Sequence, residues 1–289
     1  MLIFPDPSVE TEYTDPNGSV WEFNGTGWVR QCDCSGSGGG SGDPNWGSVE
    51  LLINGEEGLT DSTGKNTIVV NGDVSTSNSE VKYGAGSVDL TQTGGYLSVE
   101  NPTHLDAPFT IECWFWPPNS AITTLLADYS NADRGWTVQT TNGVNGMLFV
   151  LSHDGAGTAK QLTSLGQLPD LNAWNHVALT WDGSVYRSFL NGRFCDRYES
   201  ALPLYRPSGD LTIGARYVSS GYGQFFDGYL DDIRITKGVC LYTGDYEPPL
   251  EHTTSRAKTI YKSVDLTQIQ EDSNDADLSD LTNDVTTEE

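Results

Sequence analysis

The chain has 289 residues, with 40 acidic against 15 basic side chains and a formal net charge of −25 at pH 7. Such a surface repels phosphate, which argues against a nucleic-acid partner and favours solubility, salt tolerance or a basic partner. No apolar run approaches the ~20 residues of a membrane-spanning helix, so we expect no membrane insertion. Glycine is abundant, aromatics are frequent, and short apolar runs recur between turn dipeptides without sustained 3.6-residue spacing. This composition predicts an all-β chain.

At the N-terminus, Met1-Leu-Ile-Phe is followed at once by Pro5, Asp6 and Pro7, without the basic and apolar regions of an export signal. Within residues 1–31, Asp15-Pro-Asn-Gly18 and Asn24-Gly25 are hairpin turns, and Val20, Glu22, Trp28 and Arg30 lie in the strands around them. The prediction is a small three-strand β-meander. A piece of this size buries too little apolar area to be very stable alone. Trp21, Phe23 and Trp28 are therefore the candidate attachment residues, packing on a neighbour such as a sister subunit; the alternative is an independently folded spacer. The segment resembles a short module, P-x-V-G-x-x-Y-x-x-x-N-G-x-x-W-x-W-x-G-x-x-W, that recurs in phage tail and other virion proteins. Glu10 stands where that pattern usually has glycine. The resemblance implies a place in the virion, other virion proteins as partners, and homo-oligomerisation.

Residues 32–44 form a linker, with Ser35-Gly-Ser-Gly-Gly-Gly-Ser-Gly42 a flexible coil that is either a tether or a fusion scar. Cys32-Asp-Cys34 at its start offers a pair for a metal or a cross-link, although no second ligand pair at zinc spacing accompanies it. The remaining cysteines are Cys113, Cys195 and Cys240. An odd total with no even framework argues against a disulfide scaffold, and Cys113 and Cys195 read as reduced, buried thiols in strands.

Residues 45–250 read as one sandwich, a length sufficient for a sizeable core. In chain order come Leu51-Leu-Ile-Asn-Gly55 with Asp61-Ser-Thr-Gly64, then Tyr83-Gly-Ala-Gly-Ser-Val-Asp-Leu90, Gly95-Tyr-Leu-Ser-Val99 and Phe109-Thr-Ile-Glu-Cys-Trp-Phe-Trp116. In Trp174-Asn-His-Val-Ala-Leu-Thr-Trp-Asp-Gly183, Val177, Leu179 and Trp181 alternate with His176, Ala178 and Thr180, and Asp182-Gly183 turns the chain into Val185–Arg193. His176 reads as a half-exposed structural residue. The last strand begins at Asp227. Leu230, Ile233 and Ile235 are its apolar positions, and Asp231, Asp232 and Arg234 its polar ones. Lys237-Gly238 then turns the chain, Tyr242 and Tyr246 offer rings to dock the exit segment, and Pro248-Pro249 end regular structure.

These segments together resemble laminin-G-like, concanavalin A-like domains, especially those of bacteriophage structural proteins, over about two-thirds of the chain. The resemblance implies an antiparallel jelly-roll β-sandwich. It implies little about activity, because this sandwich hosts lectins, adhesins, enzyme appendages and spacers. Related β-glucanases place carboxylates as E-x-D-x-x-E on one strand; no such triplet falls in a strand here, and the four histidines lack metal-type spacing. We therefore expect no enzyme. Laminin-G-like domains often hold calcium near the first and last strands, and the positions resembling that site are Asn54, Asp61 and Asp232. For a glycan, rings beside polar groups on loops are the signal. They occur in Asp128–Trp136 and Arg216–Phe226, where Tyr129, Trp136, Tyr217 and Tyr222 are the candidates; the plainer reading is that these rings cap the sandwich edges. Beyond the sandwich, residues 251–289 become strongly acidic. That composition predicts disorder, or an extended arm ordered by docking on a partner.

The reading as a whole is a virion structural protein (tail fibre, neck or capsid decoration) whose sandwich meets host-surface polysaccharide or decorates the particle. The alternative is a free lectin or a bacterial surface adhesin.

Overall fold

The computed structural model describes residues 43–249, apart from 93, 101, 131, 132, 143–145, 165 and 220, together with the backbone of three short N-terminal strands. Those strands are β1 (Glu12–Thr14), β2 (Val20–Phe23) and β3 (Trp28–Gln31), paired antiparallel as a meander in which Phe23 faces Trp28 in register. The side chains of Trp21, Phe23 and Trp28 lie outside the described residues, as do Cys32, Cys34 and residues 251–289.

Two antiparallel sheets follow. The larger contains β4 (Val49–Ile53), β6 (Ser75–Ser77), β7 (Ser87–Asp89), β9 (Phe109–Trp116), β14 (Asn175–Trp181), β15 (Val185–Leu190), β16 (Arg193–Glu199) and β20 (Tyr229–Lys237). Its order is β16-β15-β14-β9-β20-β7-β6, with β4 also on β20. The seven-stranded sheet contains β5 (Thr67–Asn71), β8 (Tyr96–Glu100), β10 (Thr124–Tyr129), β11 (Arg134–Thr140), β12 (Met147–Gly155), β13 (Lys160–Thr163) and β17 (Leu211–Ile213), in the order β13-β12-β11-β10-β17-β8-β5. A two-stranded hairpin, β18 (Arg216–Val218) with β19 (Gly221–Gly223), completes the set. A single 3-10 turn at Trp46–Ser48 is the one helical element among the described residues.

The two-residue period of each strand decides which side chains meet between the sheets. On β14, Val177, Leu179 and Trp181 point inward and lie opposite Cys113, Ile111 and Phe109 of β9. From the other sheet, Leu97, Val99, Leu126, Trp136, Val138, Phe149, Leu151, Leu211 and Ile213 close the core. Each such aliphatic or aromatic side chain, taken out of water, contributes about 1.5–3 kcal/mol. Asn191 and Gly192 turn β15 into β16 with φ of 50° and 75°, a left-handed pair that asparagine and glycine tolerate best.

Strict alternation fails at several bulges, and the one in β20 is informative. Asp231 pairs with Trp114 and Arg234 with Glu112, so three steps on β20 match two on β9. The extra residue is Asp232, at φ 45°. This β-bulge slips the phase by one, which is how Leu230, Ile233 and Ile235 all reach the core.

After Lys237 the chain crosses the outer face of the same sheet as a strap. Gly238 N–H donates to the Pro108 carbonyl, Leu241 N–H to Thr110 Oγ1, and Thr180 Oγ1 to the Tyr242 carbonyl. Tyr242 and Tyr246 stack on each other with centroids 3.5 Å apart. His176 is therefore not half-exposed: its side chain is fully buried beneath the strap, Nδ1 lying 2.9 Å from the Tyr246 hydroxyl. Cys113 is a buried free thiol, whereas Cys195 is only partly buried because β16 is a sheet edge.

Candidate functional site

The site is assembled on the outer face of the seven-stranded sheet. Leu211 and Ile213 of β17 face the core, so Thr212 faces out. Register aligns Thr212 with Ser98 of β8 and Ala127 of β10, and Ala127 with Thr137 of β11. These four small side chains form a row of low relief, and all are buried despite their outward position.

The β18–β19 hairpin lies over this row. Tyr222 stacks on Tyr96 of β8 with centroids 4.3 Å apart, and Arg216 sets its guanidinium over the Tyr129 ring, 5.2 Å from the centroid. Gln224, at φ 52°, accepts from both Arg216 Nε (2.7 Å) and Gln139 Nε2 (3.1 Å) through Oε1. Its carbonyl accepts from Thr124 N–H. Tyr217 pairs with Tyr222 across the hairpin, their rings edge-to-face at 5.4 Å.

The opposite wall is the 205–210 loop. Asp133 Oδ2 accepts from Ser208 N–H at 2.8 Å and from Ser208 Oγ at 3.0 Å. Those bonds, led by the Ser208 N–H, hold the Asp133 carboxyl below its usual range. The loop approaches closely because residue 135 is glycine; a Cβ there would run into the Asp128 carbonyl and sit 2.9 Å from that of Tyr205. Between hairpin and loop lies a cleft of about 280 Å³, lined by Tyr129, Ser130, Asp133, Pro207, Ser208, Gly209, Asp210, Thr212, Tyr217 and Tyr222. It mixes ring surface with hydroxyl and carboxylate groups, the combination that packs on an apolar sugar face while bonding its hydroxyls.

Three of the four rings singled out from sequence, Tyr129, Tyr217 and Tyr222, line this cleft, and Tyr217 and Tyr222 are 43% and 41% exposed. Trp136 is a correction. Between the end of β10 at Tyr129 and the start of β11 at Arg134, Ser130 N–H donates to the Asp133 carbonyl. In β11 Trp136 alternates inward with Val138, is 2% exposed, and has no ring face left for a ligand. Tyr96 was not singled out because it sits inside a core strand. Its signal was its outward place between Gly95 and Leu97. Burial, then Tyr222, push its hydroxyl up to about 12. Behind the cleft, Asp128 is 5% exposed with Oδ1 unpartnered, and burial raises its pKa to about 7, helped by Asp133 and opposed by Arg206.

The calcium positions are only partly brought together. Ile53 pairs with Ile233, which sets Asn54 across from the bulged Asp232. Asp61 does not fit a metal ligand. Its Oδ1 accepts from the N–H groups of Leu52 and Thr63, and its Oδ2 from Thr63 Oγ1, Lys65 N–H, Asn66 N–H and Asn66 Nδ2. Asn54 Oδ1 likewise accepts from Glu56 N–H. Among the described residues no three His, Cys, Asp or Glu side chains are grouped to hold a metal. A second polar cluster, Glu112 with His176, Tyr242 and Tyr246, is sealed by the strap. Tyr242 donates to Glu112 Oε2 at 2.6 Å, and the Glu112 and His176 side chains have no solvent exposure. It is a latch, closed to any substrate.

Residues 91–240 match the sequence profile of the family described as the concanavalin A-like lectin/glucanases superfamily. No curated protein sequence matches the chain. Among solved structures it resembles the binding domain of Paraclostridial Mosquitocidal Protein 1 (TM-score 0.54, 12% identity, covering 68% of this chain and 50% of that one). It also resembles domain 4 of AbnA, a GH43 extracellular arabinanase from Geobacillus stearothermophilus, in complex with arabinotriose (TM-score 0.50, 15% identity, 67% and 94%). A third similar structure is the binding domain of Botulinum Neurotoxin DC in complex with SialylT (0.50, 19%, 66% and 48%). The chain spans about half the length of the two toxin chains. At these identities the likeness is one of fold.

Proposed function

The chain belongs to the concanavalin A-like lectin/glucanases superfamily, and on that premise we propose that it is a non-catalytic glycan-binding protein displayed on a virion. The observation that carries the binding half is the cleft in which Tyr129, Tyr217 and Tyr222 face hydroxyl and carboxylate groups. The similar arabinanase domain, solved with arabinotriose, supports a sugar as the ligand class. The polar cluster with the most catalytic look, Glu112 with His176, is walled off from solvent, which supports binding without chemistry.

The virion half rests on the resemblance of residues 5–31 to a module of phage virion proteins. In this arrangement residues 1–31 attach to the particle and associate with sister copies, 32–44 tether, 45–250 face outward, and the acidic arm 251–289 docks on another virion protein. The same cleft would serve a free lectin or a surface adhesin equally well. Two measurements on the full chain separate the readings. Tyr217→Ala should abolish retention on polysaccharide while leaving melting unchanged, and antibodies against the sandwich should label intact particles. Retention unaffected by that variant would remove the glycan site; particles without label would leave the lectin alone standing.

A further inference from the structure

We propose, resting on that reading of the cleft, that its ligand is an uncharged glycan and that Asp210 is the specificity-determining residue, accepting hydrogen bonds from a pair of adjacent sugar hydroxyls. The charges that line the cleft are two carboxylates, Asp133 and Asp210, and no lysine or arginine lines it. A neighbouring cation, Arg216, is committed: Nε donates to Gln224 Oε1 at 2.7 Å, and the guanidinium lies over the Tyr129 ring. An anionic sugar ring, uronate or sialate, would enter against both carboxylates and against a chain of net charge −25.

The two carboxylates differ in what they have left to offer. Asp133 Oδ2 already accepts twice from Ser208, and Tyr205 bonds the same carboxyl, so this aspartate holds the wall in place. The Thr212 proton is taken too, its Oγ1 donating to the Ala215 carbonyl at 2.6 Å with the Ala127 carbonyl 3.1 Å away. Asp210 is exposed, and among the described residues its carboxylate makes no hydrogen bond or ion pair. It lines the same cleft as Tyr217 and Tyr222. An ionised carboxylate is acceptor-only and carries two oxygens side by side, matching two neighbouring hydroxyl donors. Ring surface from Tyr217 and Tyr129 covers the sugar's C–H face while Asp210 reads its hydroxyl edge. A phosphate, sulfate or carboxylate group has no donor for Asp210 and is repelled by it.

The test uses the full chain and two panels of polysaccharide: galactomannan, dextran and arabinogalactan as neutral probes, alginate and polygalacturonate as anionic ones. Affinity is measured for the wild type, Asp210→Asn and Tyr217→Ala, each checked for unchanged melting. The expected result is binding to at least one neutral probe, none to the polyuronates, and a loss of about tenfold or more in Asp210→Asn, the size of a hydrogen bond to a charged acceptor. Tyr217→Ala should lose binding as well. Equal affinity for a polyuronate, or neutral binding untouched by Asp210→Asn but lost in Tyr217→Ala, overturns this inference and leaves the cleft a glycan site. Binding indifferent to Tyr217→Ala, or no binding to either panel, overturns both.

Discussion

The outer faces of the two sheets are both covered by a tyrosine-bearing segment, and they are covered to opposite effect. On the larger sheet the strap lays Tyr242 and Tyr246 flat together, and their hydroxyls reach Glu112 and His176. Burial, followed by the Glu112 carboxylate, drives both tyrosine pKa values far up, as expected of phenols with nowhere to place a charge. On the seven-stranded sheet the β18–β19 hairpin is held at its base by Tyr96, Arg216 and Gln224, but its own tyrosines stay more than two-fifths exposed. Identical side chains thus act as mortar on one face and as open ring surface on the other. What separates them is whether hydroxyl and ring face are already engaged inside the protein.

The sharpest way to break that comparison is to truncate a ring on each side of one sheet. Trp136→Ala, which empties a core position, should cost about 3–5 kcal/mol. Tyr217→Ala on the outer face should cost within about 0.5 kcal/mol, as exposed substitutions do. Denaturant melts of the two variants decide it; a mild Trp136→Ala or a damaging Tyr217→Ala would reverse the assignment of faces.

That pair also marks how far the residues could be read unaided. β9, β14 and β15 were legible because apolar and polar positions alternate and Asp182-Gly183 and Asn191-Gly192 sit where hairpins need them. The docking of Tyr242 and Tyr246 was legible from their place after the last strand. Trp136 was misplaced because Ser130–Asp133 reads as loop, and the alternation of Trp136 with Val138 just beyond it carried the better information. Asp61 looked like a cation ligand because a carboxylate that accepts six hydrogen bonds and one that awaits a metal have the same letter in the chain. Tyr96 supports the cleft only through the stacking of Tyr222 on it, a contact between segments more than a hundred residues apart that no local pattern announces.

A second test lies just behind the cleft. Burial raises the pKa of Asp128 to about 7, above its unfolded value. The stability it contributes is therefore full below about pH 4 and is lost as the pH rises through 7. Asp128→Asn should match the wild type at pH 4 and gain with pH, up to about 4 kcal/mol above pH 8, three units at 1.36 kcal/mol each. Melting curves across that range check it; a variant whose advantage does not grow with pH would show that Asp128 stays comfortably ionised in the fold.

On the sealed face a smaller effect is expected. Tyr246→Phe keeps the stacked ring and removes only the hydroxyl that meets His176 Nδ1. The buried imidazole nitrogen would then lack its partner, at about 1–3 kcal/mol. The cleft lies on the other sheet, so affinity for the polysaccharide that the wild type binds should not change. A loss of binding in this variant would couple the two faces and undo the contrast drawn between them.

The smallest expected effect concerns calcium. Asn54 and Asp232 do come together where β4 meets the bulge of β20, and Asp231 is next to them, its pKa raised to about 7 by burial and Glu56 against three N–H donors. What is missing is the third hard ligand the resemblance implied, since all of Asp61's acceptor capacity goes to residues 52 and 63–66. An ion that binds only the native state stabilises it in proportion to the logarithm of its saturation. With Asp61 withheld, millimolar calcium against chelator should shift stability by less than about 0.5 kcal/mol, whereas a filled site at a hundred times its dissociation constant would add about 2.7 kcal/mol. A shift of that second size would mean that the pair at the bulge finds further oxygens of its own, and that Asp61 was never needed to complete the site.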